Sequence, residues 1–253
     1  MVVPLVEAAV GVATTVGLAL AAIAARALTP SAGAAAAAFG SVIVVLAGFP
    51  YLLLLVLFVV ASVLATRYAF DEKQRRNVQE GLHGERGVSN VLAHVLLPTA
   101  LVLVATIWPA ALPGPALLIL FTSALAFGTA DTFASEFGVL AGRARSILSF
   151  RPVPAGTNGG ISGIGELWAL AGALATALAA AALALAFSAP LPRPGLLVLG
   201  ATAAGFLACQ VDSVLGEALE NRGLLTKGTT NFAGMLSAVL LAFGMLAAAG
   251  VPR

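Results

Sequence analysis

The chain has 253 residues, of which 60% are hydrophobic and only 9% charged, with a formal net charge of +2. A soluble domain carries about 25% charged residues. This balance, with a mean hydropathy of +1.03, excludes a soluble globular enzyme, a disordered tail and a nucleic-acid-binding module, so no nucleic acid is expected as a partner. A helix needs about 20 apolar residues to cross the hydrocarbon core. The chain offers about eight such stretches. The expected fold is all-α: a single integral membrane domain over 1–253, built as a polytopic transmembrane helical bundle.

In chain order the expected spans are 4–26, 33–49, 50–68, 88–107, 115–140, 160–187, 195–220 and 229–250. The first follows no basic n-region, so it reads as a retained helix and not a cleaved leader. The second and third meet at Gly48-Phe49-Pro50 with almost no loop. Pro109, Pro113 and Pro115 punctuate the fourth connection, and Pro190, Pro192 and Pro194 the sixth, as proline does outside helix interiors. The single cysteine, Cys209, lies in an apolar span and reads as packing; no internal disulfide is available. Gly200, Ala204 and Gly205 suit close helix packing.

Charge alternates from loop to loop. Arg26, Arg67, Lys73, Arg75, Arg76, Arg86, Arg143, Arg145, Arg151, Arg222 and Lys227 fall on one side, and only Arg193 and Arg253 on the other. The positive-inside rule then places loops 27–32, 69–87, 141–159 and 221–228 in the cytoplasm and both termini outside, in a multi-pass protein of the cell membrane. Ten of the 11 acidic residues share the basic side, Glu7 being the exception. Asp131 falls roughly 24 Å along its helix from Pro115, and Asp212 roughly 26 Å from Gly195, at 1.5 Å per residue. The polar chemistry is expected at the cytoplasmic membrane boundary.

A helix–loop–helix cassette repeats there. Asp131-Thr132-Phe133-Ala134-Ser135-Glu136 resembles Asp212-Ser213-Val214-Leu215-Gly216-Glu217. Each is followed by a basic loop and a Gly-Thr/Asn turn that opens the next span: Gly156-Thr157-Asn158 after Arg151, and Gly228-Thr229-Thr230-Asn231 after Lys227. Arg86-Gly87-Val88-Ser89-Asn90 is a looser third copy.

An acid inside the membrane costs about 2.5–3.5 kcal/mol when unpaired, which marks Asp131 and Asp212 as functional. Glu136 and Glu217 stand nearer the interface. Within one helix an Asp and a Glu five apart are rotated by roughly 140°, so two helices, each giving an Asp, suit one ion better than one helix alone. Hard oxygen donors without Cys or His point to Mg²⁺. Asp131, Asp212, Glu136 and Glu217 are the expected catalytic and metal residues, with Glu166 as a further ligand or a general base. The glycines at 156, 159 and 160 let backbone N–H groups approach phosphate. Gly156, Thr157, Asn158, Gly159, Gly160, Ser162, Asn90 and Asn231 are therefore expected on phosphate or substrate, joined by Arg143, Arg145, Arg151 and Lys227. Ordinary N-capping is the alternative reading of the three asparagines, and His94, one turn below Asn90, reads as a satisfied structural histidine.

At these residues a resemblance stands out. Asp131 to Gly138, Pro154-Ala155-Gly156-Thr157-Asn158-Gly159-Gly160-Ile161-Ser162, Asp212 to Gly216 and the Arg86–Asn90 turn resemble the transmembrane protein 19 family, also catalogued as domain of unknown function 92. Phe133 stands where family members usually carry Trp. The plant plastid member of that family is a phytyl-phosphate kinase. The resemblance implies a prenyl-phosphate kinase here, taking CTP (or ATP) as phosphoryl donor and a prenyl monophosphate such as phytyl or geranylgeranyl phosphate as acceptor, in contact with membrane lipid. It leaves the oligomeric state open. Two alternatives remain at this point: a CTP-dependent cytidylyltransferase acting on a lipid phosphate, and an ion or lipid transporter.

Overall fold

The computed structural model describes residues 4–81, 83–189, 191 and 193–250. Pro190, Pro192 and Arg253 lie outside the described residues. Eight helical segments are long and apolar enough to cross a membrane. They contain α1 (Leu5–Ala24), α2 (Pro30–Ala47), α3 (Phe49–Arg67), α5 (Val88–Ile107), α6 (Gly114–Gly138), α7 (Gly163–Ala186), α8 (Ala201–Ala218) and α9 (Lys227–Ala248); the short α4 (Phe70–Arg75) lies between α3 and α5. A five-residue π-helical stretch, Leu196–Gly200, leads into α8.

The spans agree with the hydropathy reading to within a few residues, and local chemistry accounts for the shifts. Pro30 sits in the first turn of α2, where its missing N–H costs nothing, and the Thr29 side chain caps the helix. Between α2 and α3 the chain turns on Gly48 alone, at φ 90, a conformation that favours glycine. One part differs from the all-helical expectation. Ala144–Ser146 (β1), Pro152–Val153 (β2) and Gly160–Ile161 (β3) form a small antiparallel sheet in the order β2-β1-β3. Strands this short carry no readable alternation.

α6 is the central pillar. Of its apolar window 89% is buried, against 17–44% for the other spans. Its sequence is apolar or small on every side from Ala116 to Ala130, the pattern of a helix with neighbours all round. It packs against α3, α5, α7, α8 and α9. Close approach rests on small residues. A Cβ on Gly205 of α8 would lie 2.8 Å from the Ala126 carbonyl carbon of α6, and one on Gly172 of α7 would lie 3.0 Å from the Thr129 oxygen.

The four basic loops gather at one end of the bundle. Arg67 Nη2 donates to the Ala25 carbonyl at 2.5 Å, and Arg86 N donates to the Ala27 carbonyl at 3.0 Å. Arg76 Nη1 reaches the Leu140 carbonyl at 3.5 Å. Asn158 Nδ2 donates to Glu220 Oε1 at 3.0 Å, and Lys227 Nζ to Glu80 Oε2 at 2.5 Å. The charge alternation along the sequence thus corresponds to a physical clustering.

Gly205→Val tests the pillar. Its side chain meets α6 backbone, which cannot rotate away, so the variant should lose at least about 1–3 kcal/mol and melt at a lower temperature in lipid nanodiscs. Gly244→Ala is the control. A Cβ there meets nothing within 4 Å, so its melting temperature should hold or rise slightly.

Candidate functional site

A cavity of about 210 Å³ opens at the loop-bearing end, between the C-terminal turns of α6 and α8 and the first turns of α7 and α9. Asp131, Glu136, Glu166, Asp212, Asn158, Asn231 and Lys227 all line it, with residues 156–160 and Ser162. Both copies of the cassette therefore contribute to one space.

Each copy's turn docks on the other copy's helix. The turn of the first meets α8: a Cβ on Gly159 would lie 2.4 Å from Glu217 Cβ and 2.8 Å from the Ser213 carbonyl oxygen. With φ at 77, the position demands glycine twice over. The start of α9 meets α6, where Asn231 Nδ2 stands 3.5 Å from Asp131 Oδ2, a long contact. N-capping is not the role of the asparagines. Ser162 Oγ caps α7 by accepting from Gly165 N at 3.1 Å. Thr226 and Thr229 form a reciprocal capping box on α9. Asn158 and Asn231 are left to face the cavity.

The acids divide by partner. Asp212 Oδ1 is buried and accepts no hydrogen bond from the described residues; Gly234 makes room for it, since a Cβ there would lie 3.1 Å away. Glu166 Oε2 accepts from Gln210 Nε2 at 2.7 Å. Glu136 lines the cavity but is already paired. Lys73 Nζ lies 2.7 Å from Glu136 Oε2, with the two side chains 0% and 7% exposed, and Thr66 Oγ1 donates to Glu136 Oε1 at 2.7 Å. Lys73 also donates to the Ala65 and Thr66 carbonyls at 2.8 and 3.2 Å, so all three of its protons are used. Glu217 does not line the cavity. It accepts from Ser146 Oγ at 2.6 Å and Leu148 N at 3.3 Å, which pins the β1–β2 hairpin to α8.

The basic residues divide likewise. Lys227 stands on the cavity wall beside Glu80. Burial alone would raise the Glu80 carboxyl, but the Lys227 ammonium and then Arg86 outweigh it and hold the group below its ordinary 4.5. Arg143, Arg145 and Arg151 are exposed on and beside the hairpin and contribute nothing to the cavity wall. Asn90 is also absent from the wall: its Oδ1 accepts from Arg86 Nη1 at 3.1 Å, and its carbonyl lies 2.8 Å from His94 Nδ1. Arg86 is buried, which lowers its pKa, and its Nη2 donates to Thr66 Oγ1 at 3.1 Å. Arg86, Thr66, Glu136 and Lys73 thus form one chain of contacts behind the cavity.

Lys73 is the residue that sequence reasoning missed. Phe70-Asp71-Glu72-Lys73-Gln74-Arg75 reads as a solvated charge run. The signal available was Glu136 itself, since an acid on an apolar helix needs a cation. Among the described residues no three His, Cys, Asp or Glu side chains form a group that could hold a metal ion. A four-carboxylate cage is therefore not what the geometry offers. What remains for a cation is the Asp131–Asp212 pair, including the unpartnered Asp212 oxygen. That suits Mg²⁺, which keeps several waters and takes one or two carboxylates plus phosphate oxygens.

Lys73→Met leaves the Glu136 charge buried and unpaired, and should cost about 3–5 kcal/mol; adding Glu136→Leu should recover much of the loss in thermal unfolding. The Glu80–Lys227 pair predicts a pH signature. A carboxyl depressed in the folded state stabilises fully above its unfolded value and loses that contribution as pH falls through its folded value. The melting gap between the unsubstituted protein and Glu80→Gln should be open near about pH 7 and close near about pH 3.

Comparison with known proteins is consistent with this architecture. The family described as Integral membrane protein DUF92 matches residues 13–235. The uncharacterized membrane protein MJ0933 of Methanocaldococcus jannaschii is 30% identical over 76% of this chain and 74% of its own length. The uncharacterized membrane protein sll0875 of Synechocystis sp. is 31% identical over 79% and 74%. Protein PGR of Arabidopsis thaliana is 32% identical over 70% and 67%. No solved structure matches the chain. The family match runs through both cassettes, the glycine turn, six of the eight spans in full and parts of the first and last, and the chain belongs to the DUF92 family of integral membrane proteins.

Proposed function

We propose that the protein is a membrane-embedded phosphotransferase that moves the γ-phosphoryl group of CTP, or another nucleoside triphosphate, to a prenyl monophosphate at the cytoplasmic face. The observation that carries this reading is the shared cavity: two span carboxylates, Asp131 and Asp212, line it together with the glycine turn 156–160 at the end of the spans. A lipid-borne phosphate reaches such a site from the bilayer, and a nucleotide reaches it from water.

The balance of charge in the cavity supports a divalent cation. Its wall carries Glu80, Asp131, Glu136, Glu166, Asp212 and Glu220 against Lys227. Lys73 and Lys227 already pair with Glu136 and Glu80. A bare polyphosphate meets repulsion here. Asp131 and Asp212 would hold a divalent cation such as Mg²⁺, which when bound would supply neutralisation of the phosphate charge. In this reading Asn231 orients Asp131. Thr157 N and Gly160 N already donate to the Pro154 and Thr157 carbonyls, so the glycine turn's other N–H groups and the second N–H of the Asn158 amide, whose first is on Glu220, bind phosphate oxygens. Lys227 supplies a point charge at the cavity wall. Lys73 holds Glu136 away from the phosphates. An acceptor phosphate oxygen forms the new P–O bond to the γ-phosphorus while the bond to the β–γ bridging oxygen breaks. The nucleoside diphosphate leaves with that electron pair. The acceptor is already anionic, so no side chain need remove a proton.

The acid excess also favours a cation transporter. Against that reading, the described part of α6 beyond Asp131 is buried and apolar apart from Thr122, Ser123 and Thr129, which marks no route across.

Purified protein given γ-labelled CTP or ATP, Mg²⁺ and geranylgeranyl or phytyl phosphate should form labelled prenyl diphosphate and release the nucleoside diphosphate. Asp131→Asn and Asp212→Asn should each lower kcat at least about 100-fold with little change in melting temperature. Release of pyrophosphate instead would identify a nucleotidyltransferase. No turnover with any nucleotide or chain length, together with cation flux in liposomes abolished by Asp131→Asn, would overturn the kinase reading.

A further inference from the structure

The three arginines that the cavity does not use sit around a rigid apolar tip. The turn between β1 and β2 runs from Ile147 to Arg151. Its Leu148 and Phe150 side chains are 53% and 63% exposed. The turn is tightly held. Phe150 N donates to the Ser146 carbonyl at 2.9 Å. Ser146 Oγ accepts from Ser149 N at 2.9 Å. Arg145 Nη1 donates to the Phe150 carbonyl at 3.0 Å. Phe150 takes φ 56, a left-handed conformation that a bulky residue adopts at a cost. The local structure thus spends strain to hold two large apolar side chains outward.

Position and charge say what they meet. Leu148 N contacts Glu217, which lies in the last turns of α8, so the tip stands within a side chain's length of a span end. Arg143, Arg145 and Arg151 are exposed. Among the described residues none of them forms an ion pair. Exposed apolar side chains flanked by unpaired arginines at a membrane boundary match an interfacial anchor. We propose that this hairpin docks on the bilayer beside the cavity, with Leu148 and Phe150 in the interface and Arg143, Arg145 and Arg151 on anionic phospholipid headgroups. The guanidinium fork is suited to a phosphate in bidentate fashion. The site is separate from the phosphotransfer cavity and stands whether or not that activity is found.

The test uses a single reporter. Cys209 is the only cysteine, so Cys209→Ala with Leu148→Cys accepts one environment-sensitive fluorophore at the tip. The labelled protein is placed in nanodiscs of phosphatidylcholine, alone or mixed with phosphatidylglycerol. Lipid-borne nitroxide should quench the label and aqueous iodide should not, and phosphatidylglycerol should deepen the burial. Each arginine changed to Gln should weaken the phosphatidylglycerol dependence about fivefold. Phe150→Gly accepts the positive φ, so this variant should keep its melting temperature yet lose lipid quenching. Quenching by iodide and not by lipid, in both mixtures, would place the tip in water as a surface for a soluble partner and overturn the proposal. A burial unaffected by phosphatidylglycerol or by the arginine changes would overturn the headgroup site.

Discussion

A carboxylate carried deep along an apolar helix has to be given a polar surrounding, and the architecture of one whole end of this protein follows from that demand. Asp131 and Asp212 lie on α6 and α8, which touch through Gly205 and Ala126. Neither helix can solvate its own acid, because its backbone donors are spent on its own turns. Help comes from outside the helix. For Asp131 it is the Asn231 amide, carried on a helix whose first turn is capped by Thr226 and Thr229 and so leaves the amide unspent. For Asp212 it is the cavity itself, one oxygen having no partner among the described residues. Glu136 meets the same demand differently, by drawing Lys73 out of a charged loop into complete burial.

The repeated cassette gains its meaning from this exchange. If each copy folded on itself, two polar pockets would form, each with one acid and one turn. The chain instead crosses them: the 156–160 turn packs on α8, and the start of α9 packs on α6. Two acids then share one cavity, with the two turns alongside them. The looser third copy joins at the edge and not at the centre. Its Arg86 and Asn90 bind one another, and Arg86 is linked to the cavity through Thr66 and Glu136 and through its charge on Glu80. Its neighbours Val78 and Glu80 enter the wall, Glu80 held by Lys227.

This division decides what was readable from sequence. The spans were legible because each obeys one local rule, a run of apolar residues as long as the bilayer is thick. The pairing of Asp131, Asp212, Asn158 and Asn231 was legible because the repeat marks them as equivalents, and equivalents in parallel helices meet at one depth. Glu217 was misplaced by the same logic. It matches Glu136 in the repeat, but α8 has the hairpin beside it where α6 has Lys73, so one glutamate fastens a loop and the other takes a lysine. Arg143, Arg145 and Arg151 were drawn toward the cavity on charge alone. Where they stand depends on a sheet of two- and three-residue strands that no periodicity announces. Lys73 was not legible from its own neighbourhood, because its burial is decided by a partner 63 positions away.

If the cavity acts as proposed, its excess of acids sets the order in which ligands would bind. Glu136 and Glu80 have their cations, so Asp131, Asp212, Glu166 and Glu220 set the field that an entering ligand meets. An anion entering alone loses hydration and gains repulsion, both unfavourable in a site closed off by α6. In the proposed reaction, a cation held by Asp131 and Asp212 would weaken that field before phosphate is bound. The glycine turn then matters because backbone N–H groups add donors without adding charge, and they stay in place whether the cavity holds one phosphate group or several. In the proposed reading, Arg143, Arg145 and Arg151 stand off the wall and leave the two aspartates to the cation.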